Sequence, residues 1–209
     1  MRATTARVSS MKKAVDHLRT ADPVLARALT AVGPFRMTYM EPTFHSLARS
    51  IVFQQLSTKV ARVIFDRVAV LAGDPLTPRA ILALSEEELR GAGLSKQKAA
   101  YIRDLAVREA DIGFPGLKKL DDAEVIVRLT QVKGIGEWTA HMFLMFGLRR
   151  RNILPVGDLG IRMAIQKLYE LPELPKPKEV ERIAEPWHPY CSIAAWYLWR
   201  SLDGDAGMK

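Results

Sequence analysis

Asp158 is the first candidate for chemistry. It stands in Leu154-Pro155-Val156-Gly157-Asp158-Leu159-Gly160-Ile161-Arg162, where an amphipathic helix opens with Ile161, Ala164, Ile165 and Leu168 on one face. A carboxylate at that place is either an N-cap, accepting a first-turn N–H, or a reactive group. Upstream, Leu129–Leu148 reads as helix, glycine turn, new helix, with Gly134-Ile135-Gly136 as the turn. Gly134 and Gly136 can take positive φ, and Ile135 can fill the space beneath. A helix opening at Glu137 turns its first N–H groups outward, which makes an anion site suited to a DNA phosphate, and Lys133 adds charge. The alternative is an ordinary tight turn between helices. A dinucleotide fingerprint is disfavoured, because no strand precedes the glycines and no third glycine follows.

Chain geometry links the two features. A helix over 137–148 carries the chain about 18 Å from the turn at 1.5 Å per residue. Residues 149–157 span up to about 30 Å when extended, enough to return Asp158 to the hairpin. One carboxylate cannot hold a catalytic divalent metal, and the sequence offers no His/Asp/Glu cluster to help it. It can stabilise the oxocarbenium character that develops as an N-glycosidic bond breaks. It can also position or deprotonate the attacking water.

The elements that must hold these groups read as helices. Asp22-Pro23 and Thr77-Pro78 place a cap before a first-turn proline, and Ser85-Glu86-Glu87-Glu88 is a capping box. Phe44, Leu47, Ala48, Ile51, Val52 and Gln55 recur at helical spacing, as do Val60, Ala61, Ile64, Phe65 and Val68 after Ser57. Further helices are expected over 95–111, 122–131, 137–148, 158–170, 177–186 and 190–202. The helix over 137–148 is apolar nearly all round and is expected to be buried. Phe35–Met40 is the one extended candidate. An all-α fold follows. Residues 89–100 echo 129–140 weakly, as a second helix–turn–helix unit.

Composition sets bounds. The 209 residues are 48% hydrophobic, which excludes general disorder, and 31 Lys+Arg against 23 Asp+Glu give +8, which suggests a polyanionic partner. Cys191 is the one cysteine, so an intrachain disulfide, a Cys-ligated zinc site and an iron–sulfur cluster are all excluded. No apolar run approaches the length of a membrane span, and no signal peptide is visible. The expectation is a soluble cytoplasmic or nucleoid-associated protein with no membrane partner.

Together the segments IVFQQLSTKVA, GLSKQKAAYI, VKGIGEWTAHMFL, LPVGDLGIR and WHPYCSIAAWYLWR resemble the helix–hairpin–helix DNA glycosylases, within roughly residues 35–203. Among these the chain is similar to the 3-methyladenine DNA glycosylase II branch. The resemblance implies a two-lobed helical fold with a cleft between the lobes. The lobe with the hairpin would span 43–149, and residues 1–42 would pack with 150–209. It implies that Asp158 is the catalytic aspartate, and that Trp138 stands where lyase-active relatives carry a Schiff-base lysine, so that base removal leaves an abasic site without strand cleavage. Leu56 matches the residue that wedges into the duplex as a nucleotide flips out. Gln55, Lys133, Gly134, Ile135, Gly136 and Thr139 are the implied DNA contacts beside it. Trp138, Trp199, Tyr190 and Tyr197 are the implied walls of the base pocket, where aromatic faces suit cationic alkylated purines. Trp196, in the same stripe, reads as core. Backbone carbonyls of Thr130, Val132 and Ile135 match those that hold a monovalent cation, Na⁺ or K⁺. No organic cofactor is implied. The implied partner is double-stranded DNA with damaged bases, bound by a monomer. Two departures stand out: no separate N-terminal β domain precedes the core, and Cys191 replaces a frequent arginine before Ser192.

Two rivals remain at this point. One is a non-catalytic hairpin module that grips DNA by its backbone. The other is a glycosylase for oxidised or mismatched bases, of which the lyase form is disfavoured by Trp138 and the iron–sulfur form by the single cysteine.

Overall fold

The computed structural model describes residues 2–203, with side chains from Ser10 onward, so residues 204–209 of the expected second lobe lie outside the described residues. Its regular elements are helices, and no strand occurs among the described residues. Along the chain, α1 (Arg2–Ala21) and α2 (Pro23–Val32) lead through an extended segment to α3 (Phe44–Phe53) and α4 (Thr58–Ala72). The short helices α5 (Pro78–Ala83) and α6 (Glu86–Gly91) precede α7 (Lys96–Val107), α8 (Glu109–Ile112), α9 (Asp122–Thr130) and α10 (Glu137–Met142). Then come α11 (Leu159–Leu168), α12 (Pro177–Ala184) and α13 (Cys191–Asp203). Two compact units result: Tyr39–Leu148, and Met1–Thr38 with Arg149–Lys209.

Capping chemistry sets most of the starts. Side chains of Asp22, Thr43, Ser57, Thr77, Ser85, Ser95, Asp121 and Asp158 each accept a first-turn N–H. Thr43–Ser46 and Ser85–Glu88 are complete capping boxes.

Four sequence expectations are corrected. Gln55 does not continue the apolar face of α3: the helix stops at Phe53, and Gln55 turns left-handed at φ 57°. The helix expected over 95–111 breaks at Arg108, and Gly113 at φ 64° ends the remainder. The helix over 137–148 widens after Met142 into a π turn over Phe143–Gly147. Phe35–Met40 forms no strand; Met40 donates its N–H to the Phe146 carbonyl at 3.0 Å.

The middle unit packs around Leu47, Ile51, Ile81, Leu89, Ile102 and Leu144, all fully buried. The other unit centres on Leu18, Leu25, Leu29, Ile165, Trp187 and Tyr197. Asp22 ties this second core together. Its Oδ1 accepts the N–H groups of Val24 and Leu25, and its Oδ2 accepts from Trp187 Nε1 at 2.7 Å and from the Tyr169 hydroxyl. Burial first, and the Asp22 hydrogen bond second, push the Tyr169 hydroxyl far above its ordinary pKa, so it remains a donor. Asp22→Asn keeps a capping oxygen but turns an amide N–H₂ toward two donors. Unfolding free energy in urea should fall by about 3 kcal/mol, against about 1 kcal/mol for Tyr169→Phe. Equal losses for the two variants would contradict the four-bond description.

Candidate nucleic-acid interface and active site

The hairpin joins α9 to α10. Gly134 takes φ +83°, and a Cβ there would lie 2.0 Å from Cδ2 of Tyr101, so glycine is required twice over. Gly136 differs from expectation: its φ is −89°, and a Cβ would meet nothing within 4 Å. Its small size leaves open space before α10, whose first turn has no side-chain cap. Ile135 is buried beneath the turn, and Lys133 is exposed above it. The Lys133 N–H is held by Asp104 Oδ2 at 2.8 Å. Thr139 is not an open surface contact: it is only 7% exposed, and what shows of it lines a cavity beside the hairpin.

The α3–α4 turn lies in the same unit. Leu56 is 38% exposed at its tip, beside exposed Gln55. Gln54 Nε2 donates to the Gly134 carbonyl at 2.9 Å, which joins this turn to the hairpin. A cavity of about 690 Å³ opens alongside, lined by Arg49, Gln54, Lys98, Tyr101, Trp138 and Thr139 among others. Arg49 stacks over the Phe53 ring at 3.9 Å. Trp138 is 51% exposed here, so the expectation of an all-buried helix fails at its first turn. Trp138 lines the cavity, while Thr139, Ala140, Phe143, Leu144 and Met145 are buried.

The other unit brings Asp158 and Trp199 together. Asp158 Oδ1 caps α11 through the Ile161 N–H at 2.8 Å and also accepts from Trp199 Nε1 at 2.9 Å. Both readings of Asp158 therefore describe one residue: it is a helix cap and a carboxylate held by an indole. Gly160, not singled out from the sequence, permits this approach, since a Cβ there would lie 3.1 Å from Trp199 Cδ1 and 3.2 Å from Asp158 Oδ1. The other two pocket aromatics are elsewhere. Tyr197 is 1% exposed and gives its hydroxyl to the Gly33 carbonyl at 3.1 Å, so it is core. Tyr190 precedes α13 and meets His17 edge-on at 5.2 Å. It lies about 13 Å from Trp199 along the helix axis.

No group of three or more His, Cys, Asp or Glu among the described residues could hold a metal ion. At the hairpin, the Val132 carbonyl accepts the Ile135 N–H at 3.0 Å, which leaves one lone pair on that oxygen. Cys191 has His188 Nδ1 3.6 Å from its sulfur and Asn152 Oδ1 beyond, at 3.0 Å from that nitrogen. This imitates a nucleophile set, but the thiol is fully buried, and burial pushes it up to about 12.

A caged glycine hairpin and an indole-held aspartate in one helical chain call for comparison with known proteins. The profile of the HhH-GPD superfamily of base excision DNA repair proteins matches residues 48–189. The chain belongs to the HhH-GPD superfamily. Among curated relatives of this HhH-GPD protein, DNA-3-methyladenine glycosylase 1 of Schizosaccharomyces pombe is 36% identical over 207 residues, covering 93% of this chain and 89% of that one. The crystal structure of a Bacillus halodurans DNA-3-methyladenine glycosidase superposes with a TM-score of 0.83 at 36% identity, over 92% of this chain and 90% of that one. The S. pombe 3-methyladenine DNA glycosylase, solved in complex with abasic DNA, gives 0.77 at 34% identity, over 90% and 95%. This HhH-GPD chain is thus a DNA glycosylase of base excision repair. No helix among its described residues is long and apolar enough to cross a membrane.

Proposed function

We propose that this chain hydrolyses the N-glycosidic bond of alkylated bases, 3-methyladenine foremost, in double-stranded DNA and leaves an intact abasic strand. The observation that carries this reading is the Asp158 carboxylate, held on one oxygen by the Ile161 N–H and the Trp199 indole. A fixed anion favours the cationic sugar over the neutral one. The C1′–N bond breaks and its electron pair leaves with the base. A water oxygen bonds to C1′, and its proton passes to Asp158 and then to solvent. An alkylated base leaves readily because its ring already carries positive charge, and the half-buried Trp199 offers it an indole face. Leu56 serves as the wedge that fills the stack once the nucleotide flips out, a role suited to an exposed apolar side chain on a fixed turn. The outward N–H groups of α10 and Lys133 grip phosphate without reading sequence. The carbonyls of Thr130, Val132 and Ile135 offer neutral hard oxygens, which suit Na⁺ or K⁺ next to a phosphate. The enzyme acts as an intracellular monomer.

Trp138 supplies no amine, so no Schiff base with the sugar is expected at that position. With methylated duplex in single-turnover assays, the free base should appear while strands stay whole until alkali is added. Borohydride should trap no covalent protein–DNA adduct. Efficient trapping would show an amine nucleophile and end the hydrolytic reading. Absence of any base release would end the assignment to alkylated bases.

A further inference from the structure

Helix α7 serves two other parts of the middle unit with one face. Lys98, Tyr101 and Asp104 recur every three residues, so they project from one side. Lys98 Nζ donates to the carbonyls of Val52 and Gln54, each at 2.6 Å. Such carbonyls at a helix C-terminus lack intrahelical partners, and a cation there also meets the negative end of the helix dipole. Farther along α7, the Tyr101 ring lies against Gly134, and Asp104 takes the Lys133 N–H. Gln54 closes the circuit through its bond to the Gly134 carbonyl.

The α3–α4 turn needs such support. Gln55 sits at φ 57°, a left-handed conformation that costs a side-chain-bearing residue about 1–2 kcal/mol. Within the turn, the Leu56 N–H reaches the Phe53 carbonyl only at 3.4 Å. The shortest backbone-directed bonds on this turn come from Lys98. Its ammonium is half-buried, and burial lowers its pKa, so it acts where water competes less for the carbonyls.

We propose that Lys98 is a positioning residue for nucleotide flipping: it fastens the Leu56 turn to the hairpin, so that phosphate grip and wedge move as one rigid piece. The inference rests on the reading of Leu56 as the wedge. Driving a side chain into a base stack costs unstacking energy, and a turn free to yield would retreat instead of displacing the base. Lys98 touches neither the base nor the sugar in this scheme. It acts through the main chain that carries Leu56.

A double-mutant cycle tests it. Single-turnover excision is measured for wild type, Lys98→Met, Leu56→Ala and the double variant on a fully paired alkylated lesion, with affinity for undamaged duplex measured alongside. Lys98→Met keeps the stem and removes the donors. It should slow excision about tenfold and leave affinity within about twofold, and in the Leu56→Ala background it should add almost nothing. A residue that merely stabilises the fold would multiply its effect with that of Leu56→Ala. Gln54→Met cuts the second tie and should show the same pattern, and it decides the matter if Lys98→Met does not fold. Multiplying effects, or affinity lost in parallel with rate, would overturn the inference while leaving the proposed function standing. A wild-type chain that excises nothing would overturn both.

Discussion

Asp158→Asn should lower single-turnover excision at least a hundredfold, about 2.7 kcal/mol of barrier, while the protein stays folded. The two roles of Asp158 make this variant the informative one. Its Oδ1 caps α11 and accepts the Trp199 indole, both of which an asparagine oxygen can still do. Asparagine and aspartate are about equal as N-caps, so stability should change by only a few tenths of a kcal/mol. The charge is lost, and Oδ2 becomes an amide N–H₂, while both bonds to Oδ1 are kept. Asp158→Ala removes cap and charge together, adds about 1 kcal/mol of destabilisation, and so separates the roles poorly. Affinity for duplex should hold or rise in Asp158→Asn, since a negative charge is gone. A rate near that of wild type, with the fold intact, would reduce Asp158 to a helix cap.

Gly134→Ala should be the most damaging glycine-to-alanine change among the described residues. A side chain at φ +83° costs about 1–2 kcal/mol in backbone strain alone. The new Cβ would also fall 2.0 Å from Cδ2 and 2.6 Å from Cγ of Tyr101, so the ring itself must move and not just its far end. Together these should remove about 3–4 kcal/mol of stability, read as a lower urea midpoint at constant m. Affinity should fall at least about tenfold, equally for damaged and undamaged duplex, because backbone contacts carry no sequence information. Repeating the change in a Tyr101→Ala background removes the overlapping atoms from Cγ outward, and the further loss should shrink to the strain alone. If the penalty stayed the same, Tyr101 would not be what crowds Gly134. Gly136→Ala is the internal control: its Cβ meets nothing within 4 Å, so the variant should be as stable as wild type.

Local patterns carried the fold. Caps such as Asp22, Thr77 and Ser85 are visible in the sequence because N-capping depends on residues three apart or fewer, and the helices start there. The glycine hairpin was legible for the same reason. Side-chain direction was not. Tyr197 and Trp199 are two residues apart on α13, yet one is core and the other meets Asp158, and an aromatic stripe does not say which side faces in. On α10 the apolar run likewise hides direction: Trp138 is half exposed and lines the cavity, whereas its neighbour Thr139 is almost buried. The network of Gln54, Lys98 and Asp104 was invisible because its bonds join residues 80, 46, 44 and 29 positions apart. Gly160 could have been found by asking why GDLGIR carries a second glycine inside a helix, where it lowers helix propensity. The answer needed Trp199, from another helix.

The buried state of Cys191 has a practical side. It is the sole cysteine of the chain, fully buried, with its thiol pushed up to about 12, so almost none of it is thiolate at neutral pH. Cys191 therefore competes little for maleimide or iodoacetamide dyes under thiol-selective conditions. A cysteine introduced at the tip of the α3–α4 turn would be labelled selectively in an otherwise native background. The motion of that turn along a duplex could then be followed by fluorescence, one molecule at a time, without first stripping the scaffold of thiols.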